Sequence, residues 1–213
     1  MPRNLTQHVC SNGRGRLAAI FFCIAVTIGP AAARPVTEEQ TVLVYDAAQV
    51  PPQVLLNAKS DVIRIFREAG IQLRWLNCLP IPGECPKVLD QTMLVLHIAA
   101  VRGGLEDGKS TGLAILAPEG GVYAYVFYNA VERLASADIK AEVILVHAIA
   151  HEIGHLLLCL NGHTPTGLMH GRWGPPELQK AVMGSLVFSP EQAAKMREEI
   201  RRRASANLAA RSL

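Results

Sequence analysis

Aromatic residues are scarce: they make up 5% of the 213 residues, and charged residues only 18%. No run of Lys and Arg is interleaved with aromatic side chains, so the footprint of a nucleic-acid-binding protein is missing. No internal repeat or low-complexity tract is visible, which excludes a repeat array. Hydrophobic residues form half of the chain, too large a share for a disordered protein. The length favours one domain and is ample for a core. A charge surplus is missing as well. Of the 21 Lys and Arg, Arg3, Arg14 and Arg16 lie in the first 33 residues, which hold no Asp or Glu; the other 18 balance the 18 acidic residues. The formal charge of +3 belongs to that N-terminal stretch and carries no message about acidic partners.

Residues 1–33 read as a secretory signal. A basic region ending at Arg16 precedes an apolar run from Leu17 to Ile28, Gly29-Pro30 breaks the run, and Ala31-Ala32-Ala33 offers small residues for cleavage before Arg34. The apolar run is too short to span a bilayer comfortably; an uncleaved membrane anchor is the alternative. The expected product is a soluble exported domain of residues 34–213, secreted or periplasmic, with no stable membrane insertion. Cysteine usage agrees with an oxidising compartment. Cys10 and Cys23 leave with the leader, and Cys78 and Cys85 flank the short segment LPIPGE. That pair could close a disulfide loop, with two free thiols as the alternative. Cys159, in a Leu-rich segment without an obvious partner, reads as a small buried hydrophobe.

The element pattern is α+β with a mixed sheet. Thr41 to Tyr45 is a short β-rich run. Pro51-Pro52 opens a helix to about Ala69, with Val54, Leu55, Ala58, Val62, Ile65 and Phe66 at helical spacing and Gly70 ending it. Ile71 to Leu76 and Thr92 to Ala99 read as strands, the second nearly continuous in apolar residues and therefore central. Gly103-Gly104 and Asp107-Gly108 mark a loop. A short strand follows at Gly112 to Leu116. After Gly120-Gly121, Val122 to Tyr128 is a strong strand. Ser136 or Asp138 can cap a helix running to about Leu160, and Asn161-Gly162 is a natural terminator. Residues 161–188 show little periodicity. Ser189-Pro190-Glu191-Gln192 then starts a last helix to about Arg203, whose Arg201-Arg202-Arg203 end reads as solvated. A boundary near Gly162 separates an upper subdomain, about 34–162, from a smaller lower one, about 163–213, with a cleft between them.

Chemistry concentrates in His151-Glu152-Ile153-Gly154-His155. On a helix, residues four apart differ by about 40° in azimuth and about 6 Å in height, so two imidazoles at that spacing can bind one ion from the same face. The glutamate between them projects from a neighbouring azimuth and can reach a water at the metal. Imidazole suits Zn²⁺. A catalytic zinc site needs a third protein ligand and one open position. His147, His163, His170 and Glu177 are the available groups. His147 shares the helix face, but three consecutive turns would spread the nitrogens over about 12 Å; it suits packing or a supporting hydrogen bond. His163 follows the Asn161-Gly162 break and can swing back under the helix, which makes it the first choice.

These residues, with Gly167-Leu168-Met169 further on, resemble the metzincin clan of zinc peptidases, and the matrixin-like branch in particular. The resemblance implies a zincin-like fold: a mixed twisted sheet, an active-site helix and a C-terminal helix. It implies His151 and His155 as Zn²⁺ ligands, Glu152 as general base, Met169 in a tight turn beneath the metal, and a peptide or protein substrate. It also implies an edge strand before the helix, here Val122 to Tyr128, on which extended substrate would lie. The clan's HExxHxxGxxH pattern would put its glycine at Leu158 and its third histidine at Asn161; Gly162 and His163 follow instead. A helix longer by about half a turn, reversing at Gly162, would absorb the shift. The clan's occasional tyrosine two residues after the methionine is Gly171 here. Two other readings stay open: an exported zinc-binding or protein-interaction module without turnover, and a two-His-plus-Glu hydrolase with Glu177 as third ligand.

Overall fold

The computed structural model describes residues 37–78, 85–100, 110–116 and 121–212. The expected leader (1–33), the segment between the paired cysteines (79–84) and the loop at 103–108 lie outside the described residues. Among the described residues, five strands form one mixed sheet in the order β2-β1-β3-β5-β4: β1 (Glu38–Asp46), β2 (Ile71–Asn77), β3 (Met93–Ala99), β4 (Gly112–Ile115) and β5 (Tyr123–Phe127). β1, β2, β3 and β5 run parallel, and β4 adds antiparallel to β5. The central strands alternate their side chains between two apolar environments. Val42, Val44, Leu94, Leu96, Ile98, Ala124 and Val126 enter the main core, while Leu43 and Val95 pack with Cys78 on the other face. Cys78 and Cys85 are bonded, with Cα atoms 5.5 Å apart.

Five helices among the described residues accompany the sheet: α1 (Pro52–Glu68), α2 (Tyr128–Leu134), α3 (Ala141–Leu158), α4 (Pro175–Val182) and α5 (Pro190–Arg211). Pro52 at the first position of α1 costs no hydrogen bond, and Gly70, at φ 74°, turns the chain into β2. α1 lays Ala58, Val62, Ile65 and Phe66 against the core. Burial of Val62, Ile65 and Phe66 contributes about 1.5–3 kcal/mol each. α3 is apolar on nearly every side, including the fully buried Ile144, Leu145, Ile149, Ile153 and Leu156. By length and composition alone it could cross a bilayer. It is the central helix, touching α1, α2, α4 and α5 as well as β3, β4 and β5, and a helix in such a place has no polar face to keep.

Several expectations need correction. The strong strand β5 is not an edge: it is flanked by β3 and β4, and among the described residues the four-residue β4 is the edge on that side of the sheet. Buried Ala124 and Val126 alternating with tyrosines suit a strand paired on both sides, whereas a four-residue strand whose Leu113 and Ile115 stay exposed can be left at an edge. Phe127 leads directly into α2, which the sequence pattern hid. Ser136 and Ile139 close a turn on each other, so α3 begins only at Ala141, without a side-chain cap. α3 ends at Leu158, and Cys159 takes the left-handed conformation at φ 49°. The helix is therefore not lengthened; it reverses at Cys159, and Leu160 to Gly162 become loop. Cys159 is exposed, not buried. α4 occupies part of the aperiodic 161–188 stretch, with Pro175 and Pro176 in its first turn. α5 runs on to Arg211, and Arg203 is a buried side chain, not a solvated end.

Candidate metal centre

The four-residue spacing on α3 brings the Nε2 atoms of His151 and His155 to 3.0 Å. Their other nitrogens are committed. His151 Nδ1 donates to the Leu168 carbonyl at 2.8 Å, and His155 Nδ1 donates to the Leu160 carbonyl at 2.6 Å. A carbonyl only accepts, so each ring keeps its proton on Nδ1 and presents a bare lone pair at Nε2. Two lone pairs at that separation repel unless a cation lies between them. Zinc ligated at about 2.0–2.1 Å in a tetrahedron sets neighbouring nitrogens roughly 3.3 Å apart, so the donor set fits that ion.

His163 completes the group. The left-handed Cys159 lets Leu160 N–H return to the His155 carbonyl at 3.3 Å, which turns the Leu160 carbonyl towards the His155 ring. Beyond the loop, Thr164 N–H bonds the Met169 carbonyl at 2.9 Å, and Gly167 at φ 85° tightens the turn between them. His163 is thereby set 5.3 Å from the His151 ring and 5.0 Å from the His155 ring, centroid to centroid. Ligand atoms of all three imidazoles lie within 4.8 Å of one another. Gly171 packs against this ring: a Cβ there would approach His163 Cγ to 2.8 Å. The glycine that supplies no tyrosine supplies room for the displaced histidine.

Met169 is fully buried beneath the group. A Cβ on Gly154 would lie 2.7 Å from its sulfur and 2.8 Å from Phe188, so the glycine lets the turn approach the helix directly under the histidines. Trp173 stands edge-on to His151 at 5.7 Å and to His147 at 6.2 Å. Its indole N–H shares the Leu168 carbonyl with His151, at 3.3 Å. Trp173 was not singled out from the sequence; an indole four residues past Met169 in an aromatic-poor chain was the available signal.

Glu152 turns from the same helix towards β4. Its carboxyl is buried, and burial pushes it up to about 8. A Cβ on Gly112 would fall 2.5 Å from its Cγ and Oε1, so the edge strand passes directly over the carboxyl. His151 is lowered to about 4, mainly by burial; the bond to Leu168 opposes the shift and the neighbouring imidazoles add to it. Burial and His163 also lower His155, against the bond to Leu160. Two neutral imidazoles are the state a metal ion requires, and a bound cation would draw the Glu152 proton off. The group opens on a cleft of about 760 Å³ walled by β4, α2 and the segment around Trp173.

The remaining histidines and Glu177 lie outside the group. His147 packs against Trp173 and donates from Nδ1 to the Val143 carbonyl at 2.8 Å. Glu177 accepts from Gly174 N–H at 3.1 Å, closing the start of α4, and faces His170 Nδ1 at 3.8 Å. Among the described residues, His151, His155 and His163 are the ones whose ligand atoms converge.

No family model matches the chain, and no curated protein matches it in sequence. Among solved structures, archaemetzincin from Methanopyrus kandleri is similar with a TM-score of 0.47 and 16% identity, over 80% of this chain and 99% of that one. Metalloproteinase-II from Bacteroides fragilis is similar with a TM-score of 0.46 and 12% identity, over 79% of this chain. The present chain spans 55% of that second protein. At these scores and identities neither likeness bears on the chemistry, which is read from the side chains.

Proposed function

We propose that the protein is an exported zinc-dependent peptidase of metzincin type. His151, His155 and His163 would hold Zn²⁺ with one corner open to the cleft. The observation that carries this reading is the convergence of three imidazoles beside a buried carboxyl, with two of the rings held by backbone carbonyls in the ligating tautomer. A purely structural zinc site is closed by four protein ligands and has no use for Glu152 at its rim. The matrixin-like branch is supported only by the order of Gly167-Leu168-Met169 after the histidines. Export is supported by the composition of residues 1–33 and by the Cys78–Cys85 bond.

When bound, zinc supplies Lewis acidity that acidifies a water and polarises a carbonyl. The chain's residues do the rest. Glu152 accepts the water's proton and returns it to the departing amine. Burial keeps the carboxyl where a small change in local charge moves its proton. Among the described residues no strand pairs with the outer side of β4, which could offer backbone hydrogen bonds to an extended peptide, a role that falls to Gly112–Ile115 and not to Val122–Tyr128. Leu168 and Leu160 hold the two helix imidazoles at fixed angles throughout.

The test combines metal analysis of the purified mature chain with hydrolysis of an internally quenched peptide library. One zinc per chain and turnover that Glu152→Gln reduces at least about 1,000-fold are expected, since base removal and lost water orientation act together. Stoichiometric zinc with wild type and Glu152→Gln equally inert would favour the non-catalytic module. Full zinc retention in a His163→Ala variant would remove the ligand set.

A further inference from the structure

The peptidase reading leaves one requirement without a side chain: a donor for the negative charge that develops on the substrate's carbonyl oxygen. His170 lies in the cleft wall, about a third exposed. Its backbone is held by the Met169 turn, with its N–H bonded to the Gly167 carbonyl at 3.0 Å and a bridge to Thr164. Its Nδ1 is buried and makes no hydrogen bond. That nitrogen faces Glu177 Oε1 at 3.8 Å, and the Glu177 carboxylate is 10% exposed and anchored on Gly174 N–H. The carboxylate is the acceptor on offer to the inner edge of the ring, and the outer edge is left for the cleft. The present distance exceeds a hydrogen bond, and such contacts tighten when substrate closes a site.

We propose that His170 is a further catalytic residue, donating from Nε2–H to the oxygen of the scissile carbonyl as it becomes an oxyanion, and that Glu177 is the positioning residue behind it. The proposal rests on the peptidase reading above. No bond to His170 forms or breaks, and its protons stay on the ring. The bland alternative is that the pair only ties the turn to α4.

The test uses the zinc-loaded mature chain with His170→Gln and Glu177→Gln. Glutamine at 177 still accepts from Gly174 N–H, so it removes the charge and keeps the helix start. kcat and KM are measured separately on a quenched peptide that the wild type cleaves. Affinities for a phosphinic analogue of that peptide and for acetohydroxamate are measured by calorimetry. His170→Gln should lower kcat about 100-fold with KM within about 3-fold, and weaken the tetrahedral phosphinic analogue by a similar factor. Hydroxamate affinity and melting temperature should not move. Glu177→Gln should lower kcat about 10-fold, the scale of a lost supporting contact. Unchanged kcat and phosphinic affinity in His170→Gln would overturn the proposal. So would losses that run in parallel with hydroxamate affinity and melting temperature, since those mark a structural tie. Failure of the underlying reading shows differently, as a wild type that takes up no zinc or a Glu152→Gln variant as active as wild type, and the oxyanion role then falls with it.

Discussion

A methyl group at position 112 would meet the Glu152 carboxyl at 2.5 Å. The edge strand therefore has to carry a glycine where it crosses that carboxyl. Gly112→Ala should push Glu152 aside by an ångström or so and cut peptide hydrolysis about 100-fold. The zinc content should stay at wild-type level, because the atoms nearest the added methyl all belong to Glu152; metal analysis beside the activity assay separates the two effects. The same logic assigns Gly171 to His163 and Gly154 to Met169. Three unremarkable glycines of the sequence thus mark three close approaches around one site. Only Gly154 lies inside the motif that drew attention to the region.

At the scale of elements, α5 holds the end of α3. Arg203 is 2% exposed and donates to the Leu156 carbonyl at 2.8 Å, to the Gly121 carbonyl at 3.0 Å and to Glu199 at 2.7 Å. It thereby satisfies a terminal carbonyl of the helix that carries His151 and His155. Arg203→Met should destabilise the fold by about 3–5 kcal/mol, the cost of breaking a buried charge network, read as a lower urea midpoint. Glu199 gives this contact a pH signature. Burial alone would raise its carboxyl, but the bonds from Arg202 and Arg203 outweigh burial and hold it at about 2, below its ordinary 4.5. The folded-state value is the lower one, so the contribution is present above about 4.5 and is lost as the pH falls towards 2. Urea midpoints taken between pH 5 and pH 2.5 should fall more gently in Glu199→Gln than in wild type. Reading Arg201-Arg202-Arg203 as a solvated helix end missed this, since one residue of the three turns inwards and sequence alone does not say which.

For the molecule as a whole, the proposed metal site would couple zinc to the fold. The three imidazoles come from two sides of a reversal, so zinc held by them should tie α3 and the Met169 turn together. With free zinc at about 1,000 times its dissociation constant, linkage contributes about 4 kcal/mol. For a domain of this size chelation should then lower the melting temperature by roughly 10 °C. The indole of Trp173, 5.7 Å from His151, offers a local fluorescence signal for the same titration. What could be read from the chain alone was whatever depends on neighbours in sequence. The apolar spacing of α1, the continuous run of β3, the Ser189 cap and the His151–His155 pair all follow from helix and strand periodicity. The α+β class followed from their order. The return of His163 was anticipated, but from a lengthened helix turning at Gly162, whereas the chain turns at Cys159. The edge position of β4, the inward turn of Arg203, the indole beside His151 and the pairing of His170 with Glu177 were decided by tertiary structure. Each depends on which distant segments share a surface, and local backbone preference does not encode that.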